Sequence, residues 1–291
     1  MSNQIPRILS IAGSDSSGGA GIQADIKTVT MLGGYAMTAI TAVTAQNSLG
    51  VKAVEVLSPE MVAAQIDACM SDIGADAVKI GMLGSAAIAH VVADRLEDFG
   101  VPVVFDPLMV ATSGAMLADE ETIGAFGRLA RIATVTTPNI PELEALSGRA
   151  ISSDDASLQD AAEEFLRATG APAVLAKGGH WPGRGGEAHG RRLDGSSWSA
   201  SAEALVWDRL YTLSHQGHWA ERVFHHPRIE TVHSHGTGCT LASAIAVGLA
   251  GGKTLPDSVK AAGDFVHRAL KAAPGFGAGH GPMGHAQAGS Q

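Results

Sequence analysis

A glycine-containing turn near the C-terminus runs directly into a stretch of small apolar residues. The turn reads His235-Gly236-Thr237-Gly238-Cys239, and the apolar stretch extends from Thr240 to Ala250. Glycines allow positive φ and a close approach of backbone to ligand, and a helix that begins here presents unpaired N–H groups and its positive dipole end. A helix N-terminus also favours the thiolate of a cysteine such as Cys239. The turn therefore predicts an anion hole beside a nucleophile-activating group, as phosphoryl transfer requires, although an ordinary helix start with an inert cysteine has the same pattern.

The glycine-rich loop of residues 13–21 follows the first predicted strand and opens the first predicted helix. A phosphate-binding P-loop would need Lys and then Ser or Thr where Gly19 and Ala20 stand, and no Gly-x-Gly-x-x-Gly lies in this turn. The loop, which starts with Gly13, therefore allows a ligand to approach but matches neither nucleotide-binding motif. On the following helix, Asp25 and the polar residues beside it are interpreted as a solvated face.

Three further strand ends carry side chains that suit a heterocycle or a phosphate. Gln46 offers both a donor and an acceptor, which suits the edge of a small heterocycle, or else its amide caps a turn. Asp106 could orient a metal or a phosphate-bound water, or simply end its strand. Lys177, followed by two glycines, could reach a phosphate.

Asn139 and Glu142 form a candidate magnesium pair just after another predicted strand. They stand three residues apart at a helix start, so their side chains can point to one spot. An amide oxygen and a carboxylate suit Mg²⁺ that is held largely through water. The same spacing predicts a capping box, and the two roles are compatible.

The order of secondary structure explains why these residues should meet. The predicted strands cover residues 8–12, 36–44, 51–57, 77–80, 101–106, 133–136 and 173–176. The predicted helices cover residues 19–32, 59–71, 85–99, 119–129, 141–146 and 155–169. This alternation predicts an α/β fold with a central, mostly parallel sheet and helices on both faces. Because ligands of such sheets bind at the carboxyl ends of the strands, one shared site is expected.

Two stretches depart from the alternation. Residues 181–226 are rich in Gly, Arg, His, Trp and Ser and show little periodicity. We expect them to form a long insertion, partly strand and partly loop, within a single domain of residues 1–291; a lid, an oligomer contact and a surface excursion are the alternatives. The tail after Pro274 is expected to be loop with a disordered end.

Composition narrows the classes of function. The chain has 291 residues, 45% of them hydrophobic, and a net charge of −9. No cluster of Lys and Arg is present as nucleic-acid binding would require, so anions must be bound by local cradles. Two distant cysteines give no disulfide framework or zinc spacing, and the His–His pairs lack supporting ligands. No signal-peptide core and no membrane-spanning apolar run are found. We expect a cytoplasmic protein with neither a nucleic acid nor a membrane as partner.

Together these motifs resemble the hydroxymethylpyrimidine/phosphomethylpyrimidine kinases of thiamin biosynthesis, within the ribokinase-like superfamily. The resemblance rests on residues 11–25, 45–47, 79–83, 106–107, 137–142, 177–180 and 235–240, which follow the family order over nearly the whole chain. It implies a ribokinase-like domain that uses ATP and Mg²⁺. Such an enzyme phosphorylates 4-amino-5-hydroxymethyl-2-methylpyrimidine, an aminopyrimidine alcohol, and then phosphorylates the monophosphate to the diphosphate. Relatives are commonly homodimers.

The resemblance also implies roles by position. Gln46 would pair with the aminopyrimidine edge in a pocket that includes Gly13, Asp25 and Met82. Thr44 stands there in place of a typical aliphatic residue, so the pocket would be slightly more polar.

The phosphoryl-transfer roles follow in the same way. Cys239 would take the proton of the hydroxymethyl group, and Gly236, Thr237 and Gly238 would give amides to the migrating phosphoryl. The remaining assignments are Asp106 and Lys177 near the phosphates, and Asn139 and Glu142 for Mg²⁺ through water.

The chain departs from the family pattern at two places, and two other functions are compatible with its motifs. His233 and Ser234 replace a usual Asn-Thr pair, and residues 181–226 exceed the expected length. The nearest rival is a pyridoxal or pyridoxine kinase, which also acts on a hydroxymethyl-bearing ring. Many of these kinases carry Asp at the position of Cys239, but some close relatives of the family carry Cys and accept both rings, so a dual-specificity kinase belongs to the same alternative. The other is a non-catalytic pyrimidine-binding protein, against which the intact anion turn argues.

Overall fold

A single nine-stranded sheet forms the centre of the fold in a computed structural model, which describes residues 5–109, 117–152, 154–179, 187–191, 197–201, 204–213 and 219–289. The strands in these ranges are β1 (Arg7–Asp15), β2 (Tyr35–Asn47), β3 (Gly50–Val56), β4 (Ala77–Ile80), β5 (Val103–Phe105), β6 (Val135–Thr136), β7 (Ala173–Lys177), β8 (Glu187–Arg191), β9 (Ser197–Ser201), β10 (Leu205–Leu213) and β11 (Trp219–Pro227). The helices are α1 (Gly21–Met31), α2 (Pro59–Asp72), α3 (Ala86–Leu96), α4 (Glu120–Ile132), α5 (Ile140–Ser147), α6 (Asp155–Thr169), α7 (Thr237–Ala250), α8 (Leu255–Lys271) and α9 (His285–Ala288).

The sheet is mostly parallel, as the alternation of strands and helices predicts. Its order is β11-β10-β7-β6-β5-β4-β1-β2-β3. The six strands from β7 to β2 run parallel, whereas β3, β10 and β11 join antiparallel at the two edges. β1 pairs with β2 on one side and with β4 on the other, so the chain reverses its direction of travel across the sheet at β1. Such a switch point opens a crevice at the carboxyl ends of the strands.

Helices cover both faces because neighbouring strand residues point to opposite sides. Ile8 of β1 packs in one apolar cluster with residues of α1, α7 and α8, such as Ile245. Leu9, the next residue, packs in a second cluster with residues of α2, α3, α4 and α6, such as Ile66 and Phe126. The predicted α/β fold with two covered faces is therefore confirmed.

The structure differs from the sequence prediction in the segment expected to be an insertion. β10 and β11, which make up its second half, extend the central sheet beyond β7 rather than leaving it. β8 and β9 form a separate two-stranded sheet. Residues 180–186, 192–196, 202–203 and 214–218 lie outside the described residues, as do 110–116 of the stretch after Asp106.

The tail also differs from the expectation of disorder as far as residue 289. Met283 and Ala288 pack with Phe265 of α8 in a small apolar cluster, and His285 of α9 is bonded to Thr240 of α7 at 2.9 Å. These buried contacts order the tail, although its glycine-rich sequence gives no sign of them. Residues 290 and 291 lie outside the described residues.

None of the helices in the described ranges has the length and apolar character needed to cross a membrane.

Candidate active site

One cavity opens at the switch point, between the carboxyl ends of β1 and β2, the segments after β4 and β5, and the start of α7. It is lined by Gly13, Ser14, Asp15, Ala20, Gly21, Thr44, Gln46, Met82, Leu108, Leu117, His235, Gly236, Thr237, Gly238 and Cys239. Eight of the residues singled out from the sequence are in this set, from both halves of the chain. The structure thus brings the substrate-side residues and the glycine turn to one place.

The glycine turn has the backbone that its sequence predicts. Gly236 is the N-cap of α7 with φ +87°, a left-handed conformation that favours glycine. A Cβ on Gly236 would lie 2.0 Å from the carbonyl oxygen of Gly19, so the turn packs directly on the first loop. A Cβ on Gly238 would lie 3.2 Å from Nζ of Lys177 and 3.4 Å from Oδ2 of Asp106. The turn therefore lies between the cavity and a cluster of charged side chains.

Cys239 differs from the expectation of an activated thiol. It is 5% exposed, and burial, opposed in part by the charge of Lys79, raises the pKa of its thiol to about 11. The helix N-terminus is present, but loss of water around the sulfur outweighs it. The prediction that the helix N-terminus lowers the pKa of this thiol is wrong, while the role of Cys239 as proton acceptor stays a prediction.

The substrate side of the cavity contains four of the predicted residues at short range. Thr44 lies 3.2 Å from the amide of Gln46, which is thus held within the wall. Gly13 leaves room for Met82, whose sulfur would be 3.1 Å from a Cβ at that position. The pocket wall therefore contains both an amide and a thioether.

Asp25 lies beneath this pocket rather than in its lining. Its side chain is fully buried and paired with Nζ of Lys79 at 2.9 Å, and Ser10 and Ser243 donate to its oxygens at 2.6 and 2.7 Å. Burial opposes the charge on Lys79, yet Asp25 and its acidic surroundings raise the pKa of that lysine. The interpretation of Asp25 as part of a solvated face is wrong, because long-range partners on β1, β4 and α7 satisfy it.

A second cluster lies at the carboxyl ends of β5, β6 and β7. Nζ of Lys177 is 2.7 Å from Oδ1 of Asp106 and 4.0 Å from Oε2 of Glu142. Burial works against the charge on Lys177, but the two carboxylates raise its pKa. Burial also raises the pKa of Glu142. The cluster is held together by charge in a place with little water.

The capping box predicted for Asn139 and Glu142 is confirmed. The Asn139 side chain accepts from the Glu142 amide at 2.9 Å, and the Glu142 carboxylate accepts from the Asn139 amide at 2.8 Å. Asp106 Oδ2, in contrast, is buried without a hydrogen-bond partner among the described residues. An unpaired carboxylate oxygen beside a second carboxylate fits a hard cation such as Mg²⁺. Within the same residues no three acidic, His or Cys side chains form a direct metal cage, so a cation here would keep several waters.

Two residues of the wall were missed by sequence reasoning. His235 was considered only as a neighbour of the glycines in the turn and as part of a histidine pair, and Asp15 only as part of a loop, yet they are bonded at 2.8 Å across 220 residues of chain. A polar residue at the end of β1 and a histidine next to the turn were the available signals, but their pairing needs the fold.

Known proteins resemble this chain over nearly its full length. Residues 15–284 match the family model described as phosphomethylpyrimidine kinase. The hydroxymethylpyrimidine/phosphomethylpyrimidine kinase of Rhizobium meliloti is 46% identical over 280 residues, which are 95% of this chain and 96% of that protein. An ADP complex of Bacillus subtilis pyridoxal kinase has a TM-score of 0.80 at 30% identity and covers 98% of both chains. The phosphomethylpyrimidine kinase of Clostridium difficile has a TM-score of 0.73 at 34% identity, over 92% of this chain and 100% of that chain.

Proposed function

The chain belongs to the phosphomethylpyrimidine kinase family, and on this premise we propose that it phosphorylates an aminopyrimidine alcohol with ATP. The substrate would be 4-amino-5-hydroxymethyl-2-methylpyrimidine, and a second transfer to its monophosphate would yield the diphosphate used in thiamin biosynthesis. Names of the relatives support this function, as does the ADP complex of the similar pyridoxal kinase for the nucleotide.

The observation that carries the proposal is the position of Gly238. It lines the cavity that contains Gln46, and it also packs against Lys177 and Asp106. A heterocycle held at Gln46 would present its hydroxymethyl group towards the turn, and a phosphoryl donor held at Lys177 would approach from the other side. Both reacting groups would then meet at backbone amides aimed at the migrating phosphoryl, which is the main requirement of phosphoryl transfer.

Cys239 is proposed to accept the proton that leaves the hydroxymethyl group. At a pKa of about 11, only about one Cys239 in 10⁴ would be a thiolate at pH 7. The role therefore requires its pKa to fall when substrates bind. Three features favour the anion: the charge of Lys79 and a backbone hydrogen bond from Gly21, which already act in that direction, and the N-terminus of α7.

We further propose that Asp106 and Glu142 hold Mg²⁺ through water, with Asn139 keeping Glu142 in place. The unpaired oxygen of Asp106 supports this assignment. When bound, the ion would neutralise charge on the phosphates. Lys177 would hold Asp106 and a phosphate oxygen in the absence of bulk water.

The test is product analysis with ATP and the pyrimidine alcohol, separating mono- from diphosphate, with pyridoxal as the competing alcohol. We expect the pyrimidine to be turned over with the higher kcat/KM. A clear preference for pyridoxal would favour the rival kinase, whose similar fold makes it the alternative. Binding of the pyrimidine without any turnover would favour a non-catalytic binding protein. Omitting Mg²⁺ tests the ion, and its loss should abolish transfer.

We also propose a homodimer that forms at the edge strand β3. Residues 52–56 of this strand are exposed, and Val54 and Val56 are each 40% exposed beside Leu49 at 70%. Unpaired backbone groups beside exposed valines offer a place where a second strand can pair, although Lys52 and Glu55 also lie on this edge. Val54→Lys should shift sedimentation towards the monomer, whereas Val223→Lys, at an equally exposed valine of the opposite edge strand β11, should not.

The chain is proposed to work as one domain in the cytoplasm. The continuous sheet supports the first point. The two free cysteines, Cys69 and Cys239, support a reducing compartment.

A further inference from the structure

The imidazole of His235 stands where three parts of the cavity wall meet. Its Nε2 atom lies 2.8 Å from Oδ2 of Asp15 and 3.1 Å from the amide of Gln46. His235 is 6% exposed and directly precedes Gly236, the first glycine of the turn. One side chain therefore contacts the end of β1, the end of β2 and the start of α7.

Asp15 is a fixed anion that organises the loop of residues 15–20. Its oxygens accept from the backbone amides of Ser17 at 2.9 Å, Gly19 at 3.1 Å and Ala20 at 2.8 Å. Although burial favours the neutral acid, bonds from His235 and Ser17 lower the pKa of Asp15 to about 2. A carboxylate has no hydrogen to give, so Nε2 of His235 must carry the hydrogen of the bond between them.

That hydrogen also decides which way the amide of Gln46 faces. A ring nitrogen that carries a hydrogen cannot accept from an amide nitrogen, so the amide oxygen must face His235. The two ends of a glutamine amide have nearly the same shape, and the bonding pattern decides between them. The amide nitrogen then faces Oγ1 of Thr44 at 3.2 Å, which donates its own hydrogen to the carbonyl of Ser14 at 3.0 Å.

Packing joins the glycine turn to the loop of residues 15–20 at the same point. A Cβ on Gly236 would lie 2.0 Å from the carbonyl oxygen of Gly19, and a Cβ on Gly19 would lie 2.4 Å from the ring of His235. The backbones therefore touch without side chains between them. The bond from His235 to Asp15 is a polar link across that contact.

We propose that His235 is a positioning residue of the transfer site: its bond to Asp15 holds the glycine turn of residues 236–238 against the loop of residues 15–20 and orients the amide of Gln46. The inference rests on the function proposed above. Displacing amides of a transfer site by about 1 Å costs roughly 10²-fold in rate, and a freely turning Gln46 would bind its ligand less well.

Three variants test the proposal. His235→Leu removes the link. His235→Gln keeps an N–H donor within reach of Asp15. His233→Leu is the matched control, because it removes a half-buried imidazole from the same segment that does not line the cavity. Each variant is first checked for folding by circular dichroism and thermal unfolding.

Steady-state kinetics with ATP and the pyrimidine alcohol give the first readout. We expect kcat to fall about 10²-fold in His235→Leu and the KM for the alcohol to rise up to about tenfold, as for one lost hydrogen bond. His235→Gln should recover most of kcat with an unchanged pH profile, and His233→Leu should match the wild type. The proposal is overturned if His235→Leu keeps its kcat within about threefold of the wild type. It is also overturned if His235→Gln is as inactive as His235→Leu and loses a limb of the pH profile, since His235 would then itself exchange protons with the substrate.

Hydrogen exchange followed by mass spectrometry gives a second readout that needs no turnover. The amides of Gly19 and Ala20, which donate to Asp15, should exchange faster in His235→Leu but not in His233→Leu. Unchanged exchange would count against the link whatever the enzyme's substrate is. A wild type that phosphorylates no pyrimidine would instead count against the proposed function alone.

Discussion

Replacing Gly236 by alanine should separate the geometry of the glycine turn from the general stability of the fold. A left-handed φ of +87° disfavours any residue with a Cβ, at a cost of about 1 kcal/mol or more. The new methyl group would also start 2.0 Å from the carbonyl oxygen of Gly19. That atom is backbone and cannot swing aside, so the turn must move on the order of 1 Å to reach ordinary contact distance.

Such a movement is expected to lower kcat by about 10²-fold, which corresponds to about 2.7 kcal/mol of lost transition-state stabilisation. Gly252→Ala is the matched control. Gly252 has φ +79° just beyond the other end of the same helix, and no atom lies within 4 Å of a Cβ placed there. Both variants should lose a similar conformational contribution to stability, but only Gly236→Ala should lose catalysis.

The assay is initial-rate kinetics with ATP and the pyrimidine alcohol, together with urea unfolding of both variants. The two measurements are made at a temperature at which both variants are folded. If Gly236→Ala turns over within about threefold of Gly252→Ala, the turn does not need its observed position. The anion-hole interpretation would then have to be abandoned.

Three further predictions concern the charged and titratable groups. The rate at which iodoacetamide alkylates Cys239 should rise about tenfold per pH unit between pH 7 and 10, because the pKa of the thiol is about 11. Cys239→Ala should keep its affinity for the pyrimidine and lose about 10²-fold or more in kcat. A loss of only a few fold in kcat would show that the base is misassigned. Lys177→Met removes the ammonium 2.7 Å from Asp106 and should lower kcat/KM for ATP by about 10²–10³-fold, with Lys177→Arg as the charged control in the same kinetics. Burial lowers the pKa of His285 to about 4, so between that value and the ordinary pKa of histidine the unfolded chain binds a proton that the folded protein excludes. The free energy of unfolding should therefore fall as the pH drops from about 7 to 4. The urea midpoint, plotted against pH, should show this slope in the wild type and a flatter one in His285→Gln.

Local features of the site were predictable because each depends on residues close in the chain. The capping box needs only Asn139 and Glu142 three positions apart. A turn was predicted at Gly236 because glycine adopts positive φ without steric cost and a helical stretch follows it.

Other features could not be predicted because the partner lies far away in the chain. Asp25 was interpreted as solvated, yet its ion-pair partner Lys79 is 54 residues away. The second half of the expected insertion contains strands with irregular patterns, and they join the sheet only because β10 pairs with β7 and β11 pairs with β10. The tail is held by contacts to α7 and α8 that its own sequence does not predict.

The sequence by itself determined the alternation of strands and helices. It therefore also determined that the polar residues at the carboxyl ends of the strands would meet at one edge of the sheet. Periodicity and turn chemistry act over a few residues, so they can be read directly. Only the tertiary structure decided the chemical state of the groups that meet there. The pKa of Cys239 is raised rather than lowered and Asp15 is held as an anion by His235. The burial of a group and the charges around it depend on every element packed against it, and residue spacing along the chain does not reveal them.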